Sequence, residues 1–244
     1  MLHKTQGIVL RSVKYGESSL VTTIFTAHFG IQSYMVKGVR SSKAKQNKTG
    51  LLQPGILLDL VVYRNPQKNL QHISEYQTAY FYKTLQENIV KNSILLFSIE
   101  LLLRLLPEDA PADKIFGFAM EYFISLDQSD MSHVANYPLF FILNCSTIMG
   151  YELNGNYSEK TPYLDLIEGG FVANSGLTNN ALTNEDIISL DKMLRINDIE
   201  QMKLVSMNGN TRFKIIDWYI YFLQQHTQHM GNIRSLTVLQ SILR

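Results

Sequence analysis

The hydrophobic pattern of the chain changes once, near Tyr80, and this change constrains the fold more than any other feature. Before it, short segments rich in Val, Ile, Leu, Tyr and Thr alternate with Gly, Pro, Asn and Ser, a pattern typical of β structure. After it, apolar residues recur about every 3.6 residues, which indicates α-helices. We therefore predict a β domain over residues 1–80 and a helical domain over residues 81–244.

The β domain is predicted to contain five strands, at about residues 5–14, 19–26, 31–37, 55–63 and 69–76. Short strands joined by turn-rich connectors suit a small closed or partly open barrel. The longest connector, residues 38–54, separates the third strand from the fourth. The predicted class is therefore α+β, with a five-stranded barrel followed by helices.

Helix-start signals occur twice in the second domain, where Thr84 and Glu87, and later Thr183 and Asp186, have the spacing of a capping box. Further helices are predicted at about residues 111–126, 138–149, 211–229 and 235–243. Residues 151–180 interrupt this pattern with Gly and Asn pairs and two strand-like segments. We predict a small hairpin there, inserted between helices.

The net charge of +1 conceals an asymmetry along the chain. Residues 1–83 hold eight Lys and three Arg against three carboxylates, a net charge of +8. The remaining residues therefore carry −7. A basic front segment and an acidic back segment indicate two bodies with different partners.

The connector that begins at Lys37 is rich in cations and contains no carboxylate up to residue 48. Gly, Ser, Ala and Asn spacers leave these cations free to reach phosphate oxygens, so we predict a nucleic-acid contact. A solvated loop that only keeps the protein soluble is the alternative. The predicted contacts are Lys37, Arg40, Lys43, Lys45 and Lys48, together with Arg11 and Lys14 of the first strand.

Aromatic side chains of the β domain are candidates to stack on unpaired bases, as in other small barrels that bind single strands. Most of these rings are expected to belong to the core. We favour Tyr15 and Tyr34, because each lies beside basic positions. The full set is Tyr15, Phe25, Phe29, Tyr34 and Tyr63.

No catalytic motif is present: the sequence lacks a phosphate-binding loop, a dinucleotide fingerprint, a nucleophile elbow and a zinc-protease motif. We predict no catalytic residue, no cofactor and no small-molecule substrate. His226 and His229 share a helical face without a flanking acid, so no metal site is predicted. Cys145 lies among apolar residues and is predicted to be a core residue.

Sequence signals of export and of membrane insertion are lacking. The first residues do not form a secretory signal, and the longest apolar run, residues 94–106, includes Glu100 and Arg104. A single cysteine excludes an intrachain disulfide. We therefore expect a cytoplasmic protein with no membrane partner.

The predicted helix at residues 211–229 is apolar over most of its circumference, which is typical of a central helix. Arg212, Lys214 and Arg234 flank it in an otherwise acidic domain. They are predicted to mark the rim of an apolar groove that binds the acidic tail of a partner. Ordinary surface cations are the alternative.

The sequence also resembles the RecO family of bacterial DNA repair and recombination mediators. The likeness covers nearly the whole chain and is strongest in residues 5–54. It includes the ending around residues 231–239. The segments that carry it are TQGIVLRS at 5–12, YGESSL at 15–20, IFTAHFG at 24–30, KGVR at 37–40 and LQP at 52–54.

The resemblance implies an OB-fold barrel and a helical domain in a non-catalytic, nucleoid-associated protein. Such a protein binds single- and double-stranded DNA and anneals complementary strands. With its partner RecR, it helps load the RecA recombinase onto DNA coated by single-stranded-DNA-binding protein. In the family, DNA contacts come from the basic surface of the barrel, and the acidic tail of the single-stranded-DNA-binding protein docks on the helical domain of some members.

One departure from the family concerns zinc. Many members hold four zinc-binding cysteines in the inserted hairpin, whereas residues 151–180 contain none. Zinc is therefore not expected, and Tyr163, Leu166 and Phe171 are predicted to stabilise the hairpin by packing. An RNA-binding barrel and a protein-protein adaptor with a basic loop remain the alternative functions.

Overall fold

The structure is a computed structural model that describes residues 1–40, 49–108, 110–174, 182–228 and 230–243. The chain forms two compact units. The barrel unit comprises Met1–Leu85 and Leu106–Asp127, and the helical unit comprises Gln86–Leu105 and Gln128–Arg244.

Seven strands and seven α-helices form in the described part of the chain. The strands are β1 (Leu2–Tyr15), β2 (Ser19–Thr26), β3 (Gly30–Val36), β4 (Leu57–Tyr63), β5 (Leu70–Thr78), β6 (Tyr163–Asp165) and β7 (Gly170–Val172). The helices of the described residues are α1 (Ile89–Leu105), α2 (Asp113–Gln128), α3 (Tyr137–Ile148), α4 (Asn184–Leu194), α5 (Ile199–Lys203), α6 (Gly209–His226) and α7 (Arg234–Leu243).

The first five strands form a closed barrel in the order β1-β2-β3-β5-β4. All pairs are antiparallel except β3 with β5, which is parallel. This arrangement is the OB fold, and it confirms the predicted barrel. Each of the five strands begins and ends within three residues of its prediction.

Strand β1 closes the barrel by pairing with two partners. Its first half pairs with β4, and its second half pairs with β2. A bulge lies between Val9 and Arg11, where the register with β2 shifts by one residue. As a result Ile8, opposite Phe25, and Arg11, opposite Thr23, both lie on the outer face of the barrel.

The barrel interior is filled by apolar side chains of β1 to β4 and of the segment between β3 and β4, with Ile73 and Tyr76 of β5 partly buried against them. Its tight packing explains Gly7: a Cβ there would lie 2.6 Å from Cγ2 of Ile24 and 2.8 Å from Cδ1 of Leu60. The buried members are Val9, Leu20, Ile24, Tyr34, Val36, Val39, Leu52, Ile56, Leu58, Leu60 and Val62.

Helix α2 covers one part of the outer face. The row Leu57, Ile8, Phe25 and Ile31 crosses four strands and is almost completely buried. Phe116 of α2 packs edge-on against Phe25, with ring centroids 5.3 Å apart. The sequence did not predict that this helix belongs to the barrel unit.

The end of α2 is tied to the segment after the barrel by one carboxylate, that of Asp127, which is 2% exposed. It accepts backbone N–H bonds from Lys83, Thr84 and Leu85 at 2.8–3.0 Å and the Tyr80 hydroxyl at 3.1 Å. Burial alone would raise the pKa of Asp127, but these hydrogen bonds together lower it below its usual value.

We predict that Asp127→Asn lowers the free energy of unfolding by about 3 kcal/mol at neutral pH, because an amide cannot satisfy all these donors. The carboxylate contributes stability above its unfolded-state pKa of about 4, and this contribution disappears as pH falls through the lower folded-state pKa. Urea titrations at several pH values should therefore show the difference between wild type and variant shrinking in acid. Glu121→Gln, an exposed carboxylate of the same helix, is the control; an equal effect of both variants would contradict the assignment.

Helix starts in the helical unit were predicted correctly in one case and wrongly in the other. Thr183 and Asp186 form the predicted capping box of α4. Thr84 does not cap α1; its hydroxyl donates to Asp127, and Asn88 Oδ1 accepts the Val90 and Lys91 N–H groups instead. The short helix α5 was not predicted.

The inserted hairpin, β6 and β7, is present as predicted. Leu166 and Phe171 are buried, whereas Tyr163 is 40% exposed and does not contribute to the packing as predicted. His226 of α6 donates an Nε2 hydrogen bond of 2.7 Å to the Leu166 carbonyl. Packing and this hydrogen bond therefore hold the hairpin against α6.

Candidate nucleic-acid interface

The part of the barrel exterior that adjoins the row covered by α2 carries the candidate site. Residues paired directly across strands project to the same face, so the registers define its rows. We call it the open face. Its first row contains Arg11, Thr23 and Ser33, and its second row contains Val13, Val21, Met35 and His72. Its third row contains Tyr15 and Ser19, and Lys37 directly follows β3.

The centre of the open face is apolar and accessible. Val13 is 45% exposed and Tyr15 is 58% exposed. Beside them, Met35, Lys37 and His72 line a groove of about 280 Å³. An exposed tyrosine beside aliphatic side chains offers the flat apolar surface on which unpaired bases stack.

Cations border this apolar centre, and none of those that the structure describes forms an ion pair with another described residue. Arg11 and Lys37 are exposed, and Arg40 is partly exposed with Nη1 donating a 3.5 Å bond to the Gly16 carbonyl. All three ion pairs between described residues belong to the helical unit. The positive charge of the described barrel residues is therefore available to phosphate groups.

The structure brings together four of the predicted contacts, Arg11, Tyr15, Lys37 and Arg40. Lys14 is exposed but projects from the other side of β1, since it pairs with the inward-facing Leu20. Lys43, Lys45 and Lys48 lie outside the described residues.

Tyr34 does not fit its predicted role. It pairs with Thr22, and both side chains are fully buried inside the barrel. The ring therefore has no surface to offer a base. The basic residues beside Tyr34 in the sequence did not indicate that its ring faces the interior, because the direction of a side chain depends on strand register.

Val13, Met35 and His72 belong to the open face although the sequence did not single them out. Alternation from Arg11 would have included Val13. Met35 and His72 become neighbours only through the parallel pairing of β3 with β5, for which the sequence carries no local signal.

The two arginines predicted to bind a partner differ sharply in their surroundings. Arg212 is 5% exposed, donates from Nε to Asn136 Oδ1 at 2.8 Å and from Nη2 to the Met207 carbonyl at 2.6 Å. Burial lowers the pKa of its guanidinium. Arg212 is therefore a structural residue, whereas the side chain of Arg234 is exposed.

We predict that Arg212→Gln destabilises the protein by about 2 kcal/mol, because buried acceptors lose a charged donor. Arg234→Gln should leave the unfolding midpoint unchanged. Thermal unfolding of both variants tests this difference; an unchanged midpoint for Arg212→Gln would contradict its structural role.

No catalytic or metal-binding group stands out in the described part of the chain. It contains no cluster of three or more His, Cys, Asp or Glu suited to a metal ion. His226 already binds the Leu166 carbonyl, and His229 lies outside the described residues. Cys145 is fully buried, and burial raises the pKa of its thiol. None of the described helices is long and apolar enough to cross a bilayer.

Comparison with known proteins agrees with this fold. Residues 1–82 match the family described as Recombination protein O N terminal, and residues 86–236 match Recombination protein O C terminal. The chain belongs to the RecO family. The two matches adjoin where the hydrophobic periodicity of the sequence changes.

Several proteins named DNA repair protein RecO are similar to this chain over nearly its full length. The protein from Phocaeicola vulgatus is 29% identical over 242 residues, covering 99% of both chains. That from Christiangramia forsetii is 24% identical, again over 99% of both chains. The RecO family assignment supports a role in DNA repair and recombination.

Proposed function

We propose that this RecO family protein binds single- and double-stranded DNA through the open face of its barrel and anneals complementary strands. Together with RecR, it would help load RecA onto DNA coated by single-stranded-DNA-binding protein. It acts by binding alone, without a catalytic step of its own. The observation that carries this proposal is the set of cations that border exposed Tyr15 and Val13 and form no ion pair with another described residue.

Phosphate attraction accounts for affinity at such a face. Arg11 and Lys37 lie on either side of the apolar rows and can neutralise successive phosphates while bases lie between them. These contacts do not read base edges, so binding should depend little on sequence.

Annealing follows from the same charge distribution. Neutralising phosphates reduces the repulsion between two strands, and base edges that the protein does not engage remain free to pair.

The acidic helical unit is the part that we assign to protein contacts. Its residues carry a net charge of −3, whereas those of the barrel unit carry +4, which disfavours DNA on the helical unit. RecR and the acidic tail of single-stranded-DNA-binding protein are the proposed partners. Of the two predicted arginines, only Arg234 is exposed to meet such a tail.

Fluorescence anisotropy of a labelled single strand across a salt series tests the DNA-binding proposal. We expect log K to fall against log salt with a slope of about −3, as for roughly four or five neutralised phosphates. Replacing Arg11, Lys37 and Arg40 together by Gln should weaken binding to any sequence and reduce the magnitude of the slope by about 2.

The matched control replaces Lys4 and Lys83, two exposed cations of the barrel unit outside the open face, by Gln. Unchanged affinity in the triple variant, or an equal loss in the control, would overturn the open face as the DNA site. Competition with a matched RNA strand distinguishes an RNA-binding barrel, which would prefer RNA. A protein-protein adaptor would bind neither strand, even at low salt.

A further inference from the structure

A second cationic group lies at the connector between β4 and β5. Arg64 directly follows β4, and its backbone N–H donates to the Met1 carbonyl at 3.1 Å, which extends the β1–β4 ladder. The carbon of its guanidinium lies 4.8 Å from the centroid of the Phe29 ring. His3 contacts the same ring edge-on at 5.3 Å. The barrel unit thus fixes the position of this guanidinium by a cation–π contact.

The charge of Arg64 is not compensated by another described residue. Its side chain forms no ion pair there, and its buried Nε atom has no hydrogen-bond partner in the described part of the chain. A guanidinium positioned over an aromatic ring keeps its remaining donors in a fixed fork, the geometry that suits a phosphate group.

The connector that carries Lys68 is held in shape by a buried side chain. Gln71 is 5% exposed; its Oε1 accepts the Asn65 N–H at 2.8 Å, and its Nε2 donates to the carbonyls of Asn65, at 2.9 Å, and Lys68. The exposed ammonium of Lys68 therefore extends from an ordered turn that begins at Arg64.

An exposed row connects this connector to the open face. His72 is the neighbour of Met35 on β3 and also pairs with Tyr63 on β4. Tyr63 is 50% exposed, and Arg64 follows it directly. Four interstrand steps separate Val13 on β1 from Tyr63 on β4 along this row, which is about 19 Å at the usual strand spacing.

We propose that Arg64 and Lys68 form a second phosphate-binding site for the DNA strand that is bound on the open face. This DNA strand crosses His72 and Tyr63 to reach the second site. This proposal rests on the proposed function and adds the direction in which the strand runs. A DNA strand long enough to cross the row binds to both sites, whereas a short DNA strand binds to the open face alone.

The competing explanation is that Arg64 only covers the end of the barrel by packing on Phe29. That role predicts a change in stability and none in DNA binding. The length dependence of binding separates the two explanations.

Anisotropy with thymidine oligonucleotides of about 4 and about 16 nucleotides, the limits of a single OB-fold site, provides the test. Replacing Arg64 and Lys68 by Gln should weaken binding of the long strand about tenfold and reduce the magnitude of its salt slope by about 1.4. Affinity for the short strand should be unchanged. Lys83→Gln, an exposed cation elsewhere in the barrel unit, is the control and should alter neither.

A second readout uses the wild-type protein and does not depend on the fold of a variant. The ¹⁵N signal of the Arg64 Nε–H group should move when the long oligonucleotide is added and stay in place with the short one. If the long strand binds but neither this signal nor the variant's affinity changes, the second site is wrong and the proposed function stands. If the wild type binds no strand at all, the proposed function itself fails.

Discussion

One extra residue in β1 determines which side chains the barrel presents to solvent. The barrel closes only because β1 pairs with β4 through its first half and with β2 through its second half, and the bulge at Leu10 lies where these halves meet. Before the bulge the outer position is Ile8, and after it the outer positions begin with Arg11 and end with Tyr15. With unbroken alternation from Ile8, Leu10 would face solvent and Arg11 would face the core. The closure of the fold and the charge of its open face therefore depend on the same local irregularity.

One part of the outer surface of the barrel contributes to the stability of the fold, and the adjoining part is the proposed binding face. Phe116 of α2 covers Phe25, and burying an aromatic side chain of this size contributes roughly 1.5–3 kcal/mol. The next row, which begins with Arg11, carries polar and charged side chains. Covering these side chains with a helix would not stabilise the fold. The uncompensated charges of this unit repel one another, which costs stability in the free protein. An anionic ligand relieves this repulsion, so the charge that destabilises the free barrel favours the complex.

The alternation of apolar and polar residues, together with the turn residues between segments, predicted the five strands closely, because each strand carries its own period-two pattern. They could not predict register, which arises from pairing between distant segments. This explains why Tyr34, beside basic positions, lies in the core, and why Lys14 leaves the face that Arg11 occupies. Arg212 is structural because Asn136 lies far from it in sequence, a contact that no local pattern reveals. Likewise, the cation–π contact that orients Arg64 depends on a ring from the β2–β3 turn.

Methyl NMR during a titration with single-stranded oligothymidylate tests most directly whether nucleic acid lies on the open face of the barrel. The methyl signals of Val13, Val21 and Met35 should move in proportion to saturation. The signal of Ile31, buried in the row beneath α2, should stay in place. Shifts confined to the helical unit, such as at the exposed Val238, would contradict the account, as would binding that leaves all three open-face methyl signals unchanged.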